Sequence, residues 1–352
     1  MKKTLLLIMV ALSSVAVFAQ KINKQEMRQL QSFLSQPALH VGTNAQALGI
    51  TDMNAPALWH GVTISNGNVV SIDWKGKGLA GTLDLSGFKA LKRVDVSHNK
   101  LTSLSVANDD VLTELNASRN ALTTVNFDGC VMLERVSINR NRLTDFSVAE
   151  VPALKYLNCS NNFFATLNVS EAKKLETLNC QSSHIESLLI SGCTSLKNLY
   201  CGYNELTSLN LLEVENLSCL NLDGNKIETM IVSGLPALST LICSDNRMTK
   251  LVVRDCNALM DLVCSYNDLT SLTVEDCPNL TFVDCSYNDL STLDLSNQTF
   301  LQRLLCDNNQ LTTLDVSFDQ QLVYINCRFN MITDLRTMAC PNLRMIASQW
   351  NY

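Results

Sequence analysis

Residues 259–279 read Leu259-Met260-Asp261-Leu262-Val263-Cys264-Ser265-Tyr266-Asn267-Asp268-Leu269-Thr270-Ser271-Leu272-Thr273-Val274-Glu275-Asp276-Cys277-Pro278-Asn279, and the pattern restarts at once with Leu280-Thr281-Phe282-Val283-Asp284-Cys285-Ser286-Tyr287-Asn288-Asp289-Leu290. Steps of 21 from Asn267 in both directions reach Asn99, Asn120, Asn141, Asn162, Ser183, Asn204, Asn225, Asn246, Asn288, Asn309, Asn330 and Asn351, and only Ser183 departs. A leucine stands eight residues before each of these thirteen positions, and Val, Leu or Ile five before. Three before is usually cysteine: Cys159, Cys180, Cys201, Cys243, Cys264, Cys285, Cys306 and Cys327. A slightly longer unit with Val69, Ile72, Trp74, Leu79, Leu83 and Leu85 leads into the series. A length of 352 residues suggests two domains, but a fixed period overrides that expectation and points to one stacked array. The units are numbered below as coils, from coil 1 at Asn99 to coil 13 at Asn351.

Each coil fits L-x-x-L-x-C-x-x-N-x-L-x-x-L-x-V followed by a short turn. This pattern resembles the leucine-rich repeat family, and the 21-residue period with cysteine in the third apolar position resembles its internalin-J-type subgroup of exported bacterial proteins. The resemblance implies a right-handed leucine-rich repeat solenoid, α/β-type by class but mostly β, that acts as a non-enzymatic binding protein. The residues agree with that architecture. Alternation around L-x-C predicts one short strand per coil on a parallel sheet, with Leu and Cys inward. The asparagine turns the chain, and its amide can pair backbone groups that the corner would bury. The segment Leu269-x-x-Leu272-x-Val274 is too short for a helix and predicts extended chain on the opposite wall, so both walls advance by about 4.8 Å per coil. Equal steps imply weak curvature and a length of roughly 60 Å.

Residues 1–19 read as a signal peptide: Lys2 and Lys3, an apolar run from Thr4 to Val15, and Val17-Phe18-Ala19 before a cut at Gln20. The apolar run is shorter than a membrane span, so no stable membrane insertion is expected. Residues 20–68 are expected to form an N-terminal cap, because the first coil of a stack otherwise exposes core. Within them Asn23 and Glu26 suggest a capping box at the start of a helix that Pro37 ends, and Trp59 with Trp74 is expected to cover the first coil. The array then runs over 69–352. Its last unit stops at the asparagine position with no sorting signal after it, which departs from anchored internalin-type proteins.

Fourteen cysteines in an exported chain usually mean disulfides. Here register argues otherwise, since neighbouring ladder cysteines on parallel strands are held at the strand spacing, longer than the roughly 3.8 Å between Cβ atoms that a disulfide prefers. The eight ladder cysteines are expected to be free and buried. Cys130, Cys193, Cys256, Cys277 and Cys340 share a second column ten residues after the asparagine, and Cys219 stands alone as an outward, reactive thiol.

The net charge is −6, and −8 once the leader is gone, a poor match to nucleic acid or anionic lipid. His40, His60, His98 and His184 fall in the cap or in variable turns, with no nucleophile motif or glycine-rich phosphate loop, so no enzyme activity, metal or cofactor is expected. Tyr266-Asn267-Asp268 and Tyr287-Asn288-Asp289 offer one carboxylate per turn, too few for calcium. Positions six, four, two and one before the asparagine, and one after, are expected to face out. At the N-terminal end these include Arg93, Lys100, Arg119, Arg135, Arg140 and Arg142, a basic region. In coils 8–11 they include Tyr266, Phe282, Tyr287, Ile242, Val263 and Leu305 with Asp261, Asp284 and Asp289, a contiguous apolar patch with an acidic rim, which marks an interaction site. A protein partner is the expected ligand, through adhesion to a host or neighbouring cell where the family resemblance is followed. Carbohydrate binding, with Tyr266 and Tyr287 stacking sugar rings, and a structural envelope role are the alternatives.

Overall fold

The structure, a computed structural model, describes residues 22–40, 42–338 and 340–351; the leader lies outside them. Helix α1, Lys24–Leu34, begins at Asn23, whose side chain accepts from the Gln25 amide. The expected capping box does not form. Glu26 is buried instead, and one of its oxygens accepts the Val69 amide at 2.8 Å, tying the helix to the array. A second short helix, α2, Asn44–Ala47, does carry a capping box, between Thr43 and Gln46. Phe33 of α1 stacks on Trp74 at 5.7 Å between centroids, and Trp59 and Trp74 are buried at the first coil, as their positions predict.

Strands β1 (Val62–Ser65) and β2 (Asn68–Asp73) form an antiparallel hairpin through Asn66-Gly67, both with positive φ, the pair that a tight two-residue turn favours. Strand β2 is also the first parallel partner of the array, so the expected boundary between residues 68 and 69 falls inside it. Gly61 is required where the chain enters: a Cβ there would lie 2.0 Å from the Asp73 carbonyl oxygen.

From β2 onward the first wall is one continuous sheet of 15 strands, β1 included, with a three-residue strand in every coil and each paired to the coil 21 residues away, as Leu262 is to Val283. The asparagine column does what its chemistry predicts. The Asn267 side chain donates to the carbonyls of Cys243 (3.1 Å) and Cys264 (3.2 Å) and accepts from the Met248 amide (3.0 Å), joining two coils at a buried corner. Ser183 is too short for the third of these bonds, and the Phe164 amide bonds the Ser183 carbonyl instead. All fourteen cysteines are free, and the eight ladder cysteines are buried. Burial pushes their thiols up, that of Cys201 to about 12.

The second wall differs from expectation. Its strands fall into four separate short sheets, and none forms at 145–148, 208–211 or 292–295, in coils 3, 6 and 10. Coil 3 has Phe146 where the other coils have Leu, Val or Met, and coils 6 and 10 have Leu211 and Leu295 where most have a β-branched residue. At Leu211 and Leu295 strand preference is weaker than at the β-branched residues of the other coils. Phe146 packs edge-on between Phe127 and Phe164, at 6.0 and 5.3 Å, so its ring is accommodated at the cost of the strand.

Candidate functional site

Each first-wall strand presents two partly exposed rows, six and four residues before the asparagine. Pairing places Thr240, Asp261, Phe282, Arg303 and Tyr324 side by side in one row, and Ile242, Val263, Asp284, Leu305 and Asn326 in the other. Asp261, Phe282, Val263, Asp284, Ile242 and Leu305 are all half-buried, so the expected patch is brought together on adjacent strands. In coils 8–10 the position two before the asparagine is not outward as expected, whereas Asp307 is half-buried and Arg328 and Gln349 are exposed. Ser244, Ser265 and Ser286 in coils 8–10 are buried, because the chain curls toward the asparagine corner and covers them.

In most coils the four-before row is structural. Asp95, Asn116, Asn158, Asn179, Asn221 and Asp284 each accept the amide two residues on with a side-chain oxygen, closing the bend. Ile242, Val263 and Leu305 cannot make that bond. Coils 8, 9 and 11 therefore forgo a local hydrogen bond and place an aliphatic side chain on a half-exposed surface.

The residue just before the asparagine has a positive φ, between 52° and 63°, in every coil: His98, Arg119, Arg140, Asn161, Ser182, Tyr203, Gly224, Asp245, Tyr266, Tyr287, Asn308, Phe329 and Trp350. This left-handed region suits Gly, Asn or Asp and is costly for a bulky side chain. Tyr266 and Tyr287 occupy it nonetheless, 57% and 44% exposed, with their rings stacked at 4.4 Å and 9°. Phe329 and Trp350 repeat the arrangement at 5.9 Å and 4°. Tyr203 lies over Gly224, where a Cβ would come within 2.7 Å of its ring, and its hydroxyl donates to Asp223 at 3.3 Å. The sequence reading found Tyr266, Phe282 and Tyr287 but missed Tyr203, Phe329 and Trp350. The signal was available, since all five positive-φ aromatics stand in the same column of the 21-residue register.

The chemistry of the patch is aromatic and acidic. Partial desolvation and the neighbouring Tyr287, Asp307 and Asp284 push the Tyr266 hydroxyl up from its usual range. Burial raises the Asp223 carboxyl, against the Tyr203 hydrogen bond. Phe282 is not a bare apolar surface: the Arg303 guanidinium lies over its ring at 5.2 Å and near the Tyr324 ring at 5.9 Å. Asp289 is exposed, and one of its oxygens accepts from Gln310 at 2.7 Å.

The basic region is partly neutralised. Arg93 pairs with Glu114 on the next coil at 3.4 Å, and Arg135 lies over the Tyr156 ring at 4.4 Å, which leaves Lys100, Arg119, Arg140 and Arg142 with neither kind of contact among the described residues. Cys219 is half-buried, one of two cysteines that are not fully buried, and burial raises its thiol. Among the described residues no three His, Cys, Asp or Glu side chains converge as a metal site, and no helix is long and apolar enough to cross a membrane. One groove lies on the second wall, lined by Glu275, Asp294, Ser296 and Asn297 beside the coil 10 lapse, away from the aromatic patch.

No family model matches the chain, and no curated protein does. Solved structures do match. The functional domain of InlJ from Listeria monocytogenes, described as including a cysteine ladder, is 26% identical with a TM-score of 0.54, over 80% of this chain and 53% of that one. The leucine-rich effector YopM from Yersinia pestis is 21% identical, TM-score 0.57, over 74% and 78%. LRIM1/APL1C, solved as a complex, gives 22%, TM-score 0.52, over 69% and 44%. This chain thus spans about half the length of the InlJ structure. The period, the asparagine and cysteine columns and these neighbours agree: the chain has the fold of leucine-rich repeat proteins, with a short period and a cysteine ladder similar to that of InlJ.

Proposed function

We propose that the chain is an exported, non-enzymatic binding protein that holds a protein partner on the strand face of coils 8–11, around Tyr266, Phe282 and Tyr287, in a role such as adhesion to a host or neighbouring cell. The observation that carries this reading is the exposed Tyr266–Tyr287 stack on left-handed backbone, beside three aliphatic residues that replace bend-closing Asn or Asp. Structural demands alone favour Asn or Gly at the first position and Asn at the second, so the substitutions call for a surface role. A flat, ruled face suits a protein better than a small molecule. LRIM1/APL1C, a neighbour in fold, is a protein complex, and the leader sequence supports export.

Stacked Tyr266 and Tyr287 turn their inner faces to each other, which leaves a sugar only the outer faces. The test is a pull-down with the purified chain against envelope extract, host surface proteins and a glycan array. Tyr266→Ala with Tyr287→Ala should weaken capture of a protein by at least about 2 kcal/mol with the fold unchanged. Normal capture by that variant, together with loss on Arg93→Ala and Arg135→Ala, would move the site to the basic coils; capture of glycans alone would replace the protein partner.

A further inference from the structure

The positive-φ column has a gap. Tyr266 and Tyr287 form one stacked pair and Phe329 and Trp350 another, but coil 11 between them carries Asn308. Two coil steps separate the backbones of Tyr287 and Phe329, on the order of 10 Å at the strand spacing. That admits one planar group in contact with a ring on each side, at about 3.5–4.0 Å per face. The Asn308 side chain in this position is smaller than a ring and is turned to its neighbour: its Nδ2 donates to Asp307 Oδ2 at 2.8 Å. Asn326 Nδ2 donates to the other Asp307 oxygen at 2.6 Å, so amides rather than a cation hold this carboxylate beside the gap.

Charge selects the occupant. Asp245, Asp261, Asp268, Asp284, Asp289 and Asp307 line the same coils, and among the described residues none is in an ion pair. Coils 1–7 contrast with this, since Arg93–Glu114, Lys155–Glu134, Lys197–Glu176 and Lys226–Glu205 all pair between neighbouring coils. The cations of coils 11 and 12 are engaged elsewhere: Arg303 lies on Phe282, and Arg328 Nε donates to Gln349. A flat cation meets both demands. A guanidinium stacks on aromatic faces and forks to carboxylates, whereas an ammonium does only the second. The same sheet face already makes that pairing internally, with Arg135 over Tyr156 and Arg303 over Phe282.

We propose that the gap between Tyr287 and Phe329, above Asp307, receives an arginine side chain from a basic segment of the protein partner. This deepens the proposed function and rests on it. The occupant is a basic segment of a partner, because this chain is acidic overall; the unpaired Arg119, Arg140 and Arg142 of its own basic end make a second copy the competing occupant, which the oligomeric state tests.

The decisive variant is Asn308→Tyr, which fills the gap and leaves every carboxylate in place. It is tolerated by the backbone, since Tyr266 and Tyr287 already occupy the same conformation two coils and one coil earlier. Calorimetric titration of the full chain with a Gly-Arg repeat peptide and its Gly-Lys counterpart should show tighter binding of the arginine peptide by about tenfold. Asn308→Tyr should abolish that preference and leave the lysine peptide unaffected. Equal binding of the two peptides, or an arginine preference that survives Asn308→Tyr, would overturn the proposal. So would a sedimenting dimer that Asn308→Tyr dissociates, because the face would then belong to a second copy. If the peptides fail while Tyr266→Ala with Tyr287→Ala still abolishes capture of a partner, the arginine site is wrong and the protein-binding face stands. If that double variant is also without effect, both fall.

Discussion

On the first wall, eight coils bury a cysteine in the ladder column, and among the described residues only Cys201 donates its thiol hydrogen, to Asn221 O at 3.4 Å. On the second wall the column holds five cysteines, and each donates: Cys130 to Val106 O at 3.0 Å, Cys193 to Val169 O, Cys340 to Val316 O, Cys256 to Arg254 O and Cys277 to Glu275 O. One residue type thus does two jobs. In the ladder it is a small apolar filler, because strand pairing and the asparagine amides already use the nearby backbone groups. In the second column it donates to a backbone carbonyl that a turn amide can share, as at Val106, and the same column also holds Asp109, Gln298 and Asp319 as well as Leu235 and Val214. The first wall is fixed by hydrogen bonds that each coil repeats; the second is fixed mainly by burial and tolerates substitution and lapses in its strands.

The sharpest way to break this contrast is Asn267→Leu against Cys277→Val. The first strips partners from two carbonyls and one amide at a buried corner and should cost at least about 3 kcal/mol, at about 1–3 per unsatisfied group. The second should cost less than about 1 kcal/mol, as a nearly volume-conserving exchange. Urea unfolding compares them, and equal losses would show that the walls do not differ.

Next in size is a pH effect that is largest on the second wall. Asp109 and Asp319 are buried, each with one oxygen lacking a partner, and burial raises their carboxyls to about 8 and about 7. The unfolded chain releases these protons near pH 4 while the folded chain keeps them. Stability from these groups is therefore greatest below about pH 4 and falls as pH rises to about 8, where it levels off. Thermal unfolding should show a lower midpoint at pH 8 than at pH 6, and Asp109→Asn should reduce the difference. A midpoint that rises over that interval in the parent chain, and is unchanged by Asp109→Asn, would contradict the burial argument.

A finer comparison pairs Cys264→Ser with Cys130→Ser. A hydroxyl at Cys264 lacks an acceptor and should cost about 1–3 kcal/mol. At Cys130 it inherits the Val106 carbonyl and should cost less than about 1 kcal/mol. The smallest expected effect is that of Tyr266→Gly on the fold, because relief of the left-handed backbone, about 1–2 kcal/mol, offsets the lost ring stack, about 0.5–1.5 kcal/mol. A loss well above 1 kcal/mol would make the stack a structural element and weaken its reading as a binding surface.

The first wall was legible because its signals are local to one period: Leu91 or Leu259 faces inward in every coil, and Asn267 needs only its own corner and the coil before it. The candidate patch was partly legible. Tyr266 and Tyr287 stand out in one unit, but Phe329, Trp350 and Tyr203 are visible only when the whole column is followed through all thirteen coils. Ser265 was misplaced because strict alternation fails where the strand ends and the chain turns inward.

The sequence by itself determined the period, the parallel stacking, the inward leucine and cysteine columns and the free state of the thiols, since each follows from residue type at a fixed spacing. Only the tertiary structure decided which second-wall strands lapse around Phe146, Leu211 and Leu295, that Glu26 leaves its own helix to bind Val69, that Arg303 covers Phe282, and that the aromatic column stacks in two pairs with a gap at Asn308. These depend on how side chains from neighbouring coils compete for one space and one hydrogen-bond partner, and a 21-residue pattern read one unit at a time does not contain that competition.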